Sequence, residues 1–291
     1  MRLIELVVPS DEAELAADRL WCSGAGGVEE LDGEHGTSVV RTVLAADDAL
    51  SIERLGPLPA RWEVRFVDVE DAPSESWRDH ARPIVVNSEL TVAPAWVDVD
   101  AGPGTTVVRI EPAGSFGLGD HPTTRLSADA MWRTVSPGDQ VLDVGCGSGV
   151  LAIIAVLRGA DRSVAVDIAE AAREATVANS ERNGVGARVE ASCTPLGEVE
   201  GHFDVVAANI LAPTLIELAD DLERVLAPAG RLLISGILAG RHDHVLEALA
   251  PLTPVRTDES DSWACVELVA PSGARDQLAV RARTPMGAIR R

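Results

Sequence analysis

The chain has no lysine and no tyrosine: all 25 of its basic side chains are arginine, set against 46 carboxylates, for a formal charge of −21. Without lysine there is no Gly-Lys-Ser/Thr, so a phosphate-gripping P-loop is excluded. The acidity makes the body a poor match for polyanions, which require clustered basic side chains. Direct sequence-specific nucleic-acid binding is therefore not expected, whereas basic or neutral partners are. Cysteine is scarce as well. Cys22, Cys146, Cys193 and Cys265 lie far apart with no C-x-x-C, which suits reduced, buried thiols rather than a disulfide frame or zinc site, and no metal is expected. No segment reaches the roughly 18 consecutive apolar residues of a membrane span, and the first nine residues lack the length and cleavage site of a signal peptide. The expected setting is the cytoplasm, with no membrane partner. An apolar content of 46% over 291 residues is enough for a substantial core and two domains.

The stretch around which the rest is organised is residues 141–149. An apolar run of strand type breaks into glycines at alternate positions, Gly145, Gly147 and Gly149, and a nine-residue apolar segment follows at helix length. Strand, glycine loop and helix together make a cradle: the glycines let backbone lie against a ligand, and the helix start offers unpaired N–H groups. Counted from Gly147 the weaker dinucleotide fingerprint G-x-G-x-x-A is met at Ala152, so a nicotinamide cofactor stays open on this loop alone. Asp143, leading D-x-G-x-G-x-G, gives the loop a resemblance to that of class I S-adenosylmethionine-dependent methyltransferases. An acidic residue ending the next strand strengthens it, because residues 162–167 form a short β-branched run closed by Asp167. A carboxylate there accepts bonds from both hydroxyls of a ribose; the structural alternative is a cap for the helix that follows.

Around this centre the chain alternates. Residues 1–70 read as β-α-β-β-α-β, with strands at 3–8, 28–32, 37–44 and 61–69, a helix opened by Ser10 as N-cap and a short helix around 46–54. This suggests a small α+β ferredoxin-like domain. Residues 71–104, punctuated by Pro73, Pro83, Pro94 and Pro103, read as an interdomain joint with short strands at 84–86 and 90–92. The α/β pattern then runs over 105–270. Its elements are a strand at 105–110, helices at 126–134, 169–181, 214–226 and 240–250, and strands at 188–192, 203–211, 231–235 and 264–269. Residues 271–291 carry five Arg against one Asp and read as a flexible basic tail.

Two further places hold candidate chemistry. Asn209 ends a buried strand where open α/β sheets place their ligands; its side-chain oxygen and the carbonyl of Ile210 are suited to accept the N–H bonds of an amine and aim its lone pair. The alternative is an N-cap for the helix beyond Pro213. The glycine- and threonine-rich loop 115–125 is placed as a lid. Asp120 and His121 in it are candidates for relaying a proton through water, and Thr124 for holding a carboxylate. Read alone, Thr123 and Thr124 are N-caps and His121 a turn residue. His242 and His244 read as a solvated helix face.

F-G-L-G-D-H-P-T-T at 116–124, the loop 143–149, V-D at 166–167, N-S-E-R-N-G at 179–184, A-N-I-L-A at 208–212 and S-G-I-L at 235–238 together resemble the PrmA family, the methyltransferases of large-subunit ribosomal protein eleven. The resemblance covers most of residues 1–270, with Leu118 and Asp120 departing from the threonines usual there. It implies a Rossmann-like class I methyltransferase domain that binds S-adenosylmethionine, preceded by a ferredoxin-like domain that recognises the ribosomal protein, free or in the ribosome. It implies cofactor contacts at Thr124, Gly145, Asp167 and Asn209, with Asp143, Gly147 and Gly149 shaping the loop. The expected reaction moves methyl groups to lysine side-chain amines, with the N-terminal amine as a further target. The alternatives are a related enzyme acting on another protein or a small amine, and an inactive cofactor-binding module; the intact loop, Asp167 and Asn209 argue against the second.

Overall fold

In the first unit, strand β1 (Arg2–Pro9) alternates, and its Ile4, Leu6 and Val8 are all buried on one face. Helix α1 (Ala13–Cys22) lays Ala13, Ala16 and Leu20, spaced at helical intervals, onto them. β2 (Glu29–Asp32), β3 (Thr37–Val43) and β4 (Glu63–Asp68) complete an antiparallel sheet in the order β2-β3-β1-β4. The register sets Leu6 opposite both Val40 and Val64; Leu6 and Val40 are buried with the helix residues, whereas Val64 on the edge strand β4 is exposed. Ser10, expected as an N-cap, sits inside a 3-10 turn (Ser10–Glu12) that no side chain caps. Its hydroxyl instead accepts from Ser38 Oγ at 3.2 Å.

The computed structural model describes residues 2–22, 28–43, 55–68, 82–111 and 121–270. These form two compact units, the second of which includes residues from Arg82 onward. The helix expected around 46–54, Asp120 and the tail 271–291 lie outside the described residues. From residue 82 the stretch read as a joint carries a small sheet of its own, β5 (Ile84–Val85), β6 (Leu90–Pro94) and β7 (Thr106–Ile110), with β5 antiparallel and β7 parallel to β6.

The rest of the second unit is a seven-stranded sheet with helices on both faces. In chain order its elements are α2 (Pro122–Thr134), β8 (Gln140–Val144), α3 (Val150–Arg158), β9 (Arg162–Val166), α4 (Glu170–Arg182), β10 (Val189–Ser192) and β11 (Phe203–Asn209). Then come α5 (Ala212–Glu217), α6 (Ala219–Val225), β12 (Leu226–Leu238), α7 (Asp243–Ala248), β13 (Thr253–Ser260) and β14 (Trp263–Val269). The spatial order is β10-β9-β8-β11-β12-β14-β13; the first five are parallel and β14 runs against both its neighbours. The near-continuous apolar strands follow from burial on both faces. Along β11, Val205 and Ala207 pack with Met131, Ile153 and Ile154 of α2 and α3, whereas Val206 and Ala208 pack with Leu215 and Leu222 of α5 and α6.

Three elements differ from the sequence expectation. The helix over 214–226 is two short helices broken at Leu218. The strand expected at 231–235 is longer at both ends, since β12 runs from Leu226 to Leu238. β13 has no apolar run to announce it, because as the sheet edge most of its residues are exposed and it alternates nothing into the core.

Candidate functional site

The chain order of the parallel strands reverses between β8 and β11, so the crevice at their carboxyl ends is the topological switch point, where ligands bind in open α/β sheets. Chain order alone puts the glycine loop at the end of β8 and Asn209 at the end of β11, and the register aligns Val144 with Ala208. Both lie on that one edge, with Asp167 at the end of the neighbouring β9.

The loop half of the site is tied down by its own hydrogen bonds. The N–H groups of Gly145 and Cys146 donate to the Val166 carbonyl at 2.8 and 3.1 Å, and Gly147 N–H donates to Asp167 Oδ2 at 3.0 Å. The other oxygen of Asp167 accepts from Ala169 N–H at 2.9 Å, while α4 starts one residue later without a side-chain cap. Asp167 therefore braces the loop as well as the turn after β9, and each of its oxygens keeps lone-pair capacity for a ligand. Ile168 beside it is 84% exposed, an apolar surface next to a hydrogen-bonding carboxylate. The sequence reading gave Ile168 no role; its signal was an apolar residue at the carboxyl end of a strand.

Gly145 adopts φ +70°, and a Cβ there would lie 2.4 Å from Ile210 Cγ2. The Ile210 side chain thus fills the space a larger residue would need, bringing the β8 and β11 loops together. On its other side Gly236 of β12 has φ +80°, and a Cβ would lie 2.4 Å from the Ile210 carbonyl oxygen. Gly236 is a site residue that pattern reading missed, since the motif around it says nothing of which backbone passes so close. Gly149 is the N-cap of α3.

Asp143 is fully buried and accepts a bond from Ala152 N–H in the first turn of α3 at 3.1 Å. Burial pushes its carboxyl up to about 7, against the lowering pull of the Ala152 N–H, and the nearby Asp167 charge adds to the rise. Asp143 is a buried brace between β8 and α3. Burial also pushes the Cys146 thiol well above its usual range, leaving it inert at neutral pH.

The other half is less satisfied. The carboxamide of Asn209 takes no hydrogen bond among the described residues, and the N-cap of α5 is Leu211, with no side chain capping the helix, so the capping alternative for Asn209 is not realised. Helix α2 begins earlier than expected. His121 is its N-cap, accepting from Thr123 N–H at 3.4 Å and lying 2.8 Å from Thr123 Oγ1, and Pro122 occupies the first turn. The capping roles read for Thr123 and Thr124 are thereby corrected: both are inside the helix and buried. Thr124 is 1% exposed and its Oγ1 has no partner among the described residues. His121 packs edge-on to Trp263, ring centroids 4.9 Å apart, and Trp263 pairs with Leu238 at the carboxyl end of β12. The start of α2 is thus at the same sheet edge as Asn209. His242 is likewise not solvated: it is buried, with Nδ1 3.1 Å from the Leu238 carbonyl oxygen.

The chain is similar to known proteins over most of its length. Residues 37–271 match the family "Ribosomal protein L11 methyltransferase (PrmA)". A ribosomal protein L11 methyltransferase from Geobacter metallireducens is 36% identical over 287 residues, covering 89% of this chain and 94% of the relative. One from Ralstonia pickettii is 36% identical, covering 92% and 98%. The crystal structure of a ribosomal protein L11 methylase from Lactobacillus delbrueckii subsp. bulgaricus superposes with a TM-score of 0.59 at 29% identity, covering 64% of this chain and 96% of that one. The larger sheet is accordingly a Rossmann-like methyltransferase domain, preceded by a small β-rich one.

Proposed function

This chain belongs to the ribosomal protein L11 methyltransferase (PrmA) family, and on that premise we propose that it moves methyl groups from S-adenosylmethionine to lysine side-chain amines of that ribosomal protein, with the N-terminal amine as a further target. The observation that carries this reading is the meeting, at the switch point, of a braced glycine loop and a carboxamide, Asn209, without a hydrogen-bond partner among the described residues, on adjacent strands.

The site fits the cofactor. A buried Thr124 hydroxyl without a partner among the described residues, a loop whose Gly145 admits no Cβ, and a carboxylate with spare lone pairs are the complement of an amino-acid head, a close backbone approach and a ribose. Thr124 would hold the methionine end, Asp167 the ribose hydroxyls, the apolar face of Ile168 the adenine, and Gly145, Gly147 and Gly149 the path between; Asp143 shapes the loop from behind. When bound, S-adenosylmethionine supplies a methyl group already activated by its sulfonium, so the protein's work is placement and exclusion of water. Asn209 Oδ1 and the Ile210 carbonyl accept the amine's N–H bonds, leaving its lone pair free to point at the methyl. A lysine amine, with a pKa of about 10.4 in water, gives up a proton before it attacks. Water relayed past His121 and Asp120 takes that proton, His121 being held in place by Thr123 and Trp263.

The order β4-β1-β3-β2, with α1 following β1, supports a ferredoxin-like first domain over residues 1–70. It grips the protein substrate, 105–270 carry out the chemistry and 271–291 are a basic tail; the stretch 71–104 is a joint only in part, since from Arg82 it belongs to the second unit. Labelled S-adenosylmethionine, incubated with the enzyme and purified ribosomal protein of the same source, tests the whole reading. Mass spectrometry should locate methyl groups on lysine or the N terminus; an unmodified ribosomal protein beside an enzyme that binds the cofactor sinks the substrate assignment.

A further inference from the structure

Helix α4 does something the mechanism above does not use. Asn183 accepts from Arg109 N–H at 2.9 Å and donates to the Arg109 carbonyl at 2.8 Å; four residues earlier, Asn179 accepts from Glu111 N–H and donates to the Glu111 carbonyl, both at 2.9 Å. These are the bonds a neighbouring strand would make to the free edge of β7, whose other edge pairs with β6. The geometry allows it because two residues of strand advance about 6.7 Å and four residues of helix about 6.0 Å. Two carboxamides on one helix face thus stand in for a strand.

Asn179 goes further. It is 0% exposed, and the same Nδ2 also donates to the Ser148 carbonyl in the glycine loop at 2.9 Å, while Oδ1 accepts from Arg182 at 2.6 Å. Both donors and both acceptor sites of the amide are filled, a set that neither Asp nor Ser reproduces. One turn before, Thr176 Oγ1 donates to the Gly147 carbonyl at 3.2 Å. Glu111 is where the chain leaves β7 toward His121 and Thr124.

We propose that Asn179 is a positioning residue for the methyl-transfer site, fixing the cofactor loop and the exit of β7 in one frame, so that cofactor binding at the loop is felt at Glu111. This rests on the cofactor reading above. Asn183 is the internal control, because Asn183→Ala removes two bonds to β7 as Asn179→Ala does but leaves the glycine loop untouched.

Calorimetric titration with S-adenosylmethionine should show affinity at least tenfold weaker for Asn179→Ala and within threefold of wild type for Asn183→Ala. Equal weakening in the two, or an Asn179→Ala protein that binds as wild type does, overturns the proposal. Should Asn179→Ala fail to fold, hydrogen exchange on the wild type decides: saturating S-adenosylmethionine should slow exchange of the Glu111 amide at least tenfold, and an unchanged rate overturns the inference. A wild-type protein that binds no S-adenosylmethionine overturns the cofactor reading and this inference with it, whereas wild-type binding with indistinguishable variants overturns the clamp alone.

Discussion

The two halves of the carboxyl edge differ in how their polar groups are spent. On the β8–β9 side, Gly147 N–H donates to Asp167, Thr176 and Asn179 donate to the loop carbonyls of Gly147 and Ser148, and Asp143 accepts from the first turn of α3. On the β11–α2 side the Asn209 carboxamide and the buried Thr124 hydroxyl have no partner among the described residues. A satisfied half holds its shape without a ligand; an unsatisfied half carries the cost of unpaired polar groups and recovers it on binding. The contrast assigns rigidity to the cofactor loop and recognition to the far side.

The largest expected effect breaks the contrast at Asn209. Asn209→Ala should cut methyl transfer by about 10³-fold, in the range of losing one oriented polar group at a reacting centre, while leaving S-adenosylmethionine affinity within about threefold in equilibrium dialysis. A parallel loss of both would place Asn209 in the loop half instead.

The second concerns the buried carboxyl behind the loop. With Asp143 raised to about 7 in the folded protein and about 3.9 in the unfolded chain, the folded state binds the extra proton between those values. Stability should therefore fall as pH rises from about 4 to about 7 and level off above, by up to a few kcal/mol. Chemical denaturation at pH 5 and pH 8 should show this slope in the wild type and a flatter one in Asp143→Asn; equal slopes would remove Asp143 as its source.

Asp167→Asn keeps one acceptor and loses the charge, so cofactor affinity should drop about tenfold, the difference between a charged and a neutral hydrogen bond. The smallest effect sharpens the comparison most. Thr124→Val removes a buried hydroxyl with no partner among the described residues, so the free protein should be unchanged or up to about 1 kcal/mol more stable, while cofactor affinity falls about fivefold. A destabilised Thr124→Val protein would mean that the hydroxyl is already satisfied.

Legibility in the sequence followed burial. Strand β8 and helix α3 read correctly because residues 141–144 and 150–158 are apolar and the glycines between them mark the turn. β13 was invisible because an exposed edge strand carries no inward alternation. The capping alternative for Thr123 and Thr124 fell because local pattern cannot tell the first turn of a helix from its N-cap when Pro122 allows the helix to begin earlier. Gly236 and the roles of Asn179 and Asn183 were equally out of reach. They depend on which distant backbone passes by: Ile210 for the first, Arg109 and Glu111 for the others.

By itself, then, the sequence determined the glycine loop, the alternation of strand and helix, the terminal carboxylate Asp167 and the terminal amide Asn209, since these are local consequences of hydrophobic period and chain punctuation. Only the tertiary structure decided that β8 and β11 would be neighbours, that Ile210 would wedge between Gly145 and Gly236, and that two asparagines of α4 would complete the edge of β7. Strand order and close backbone approach are set by how layers pack over long sequence separations, where periodicity carries no information.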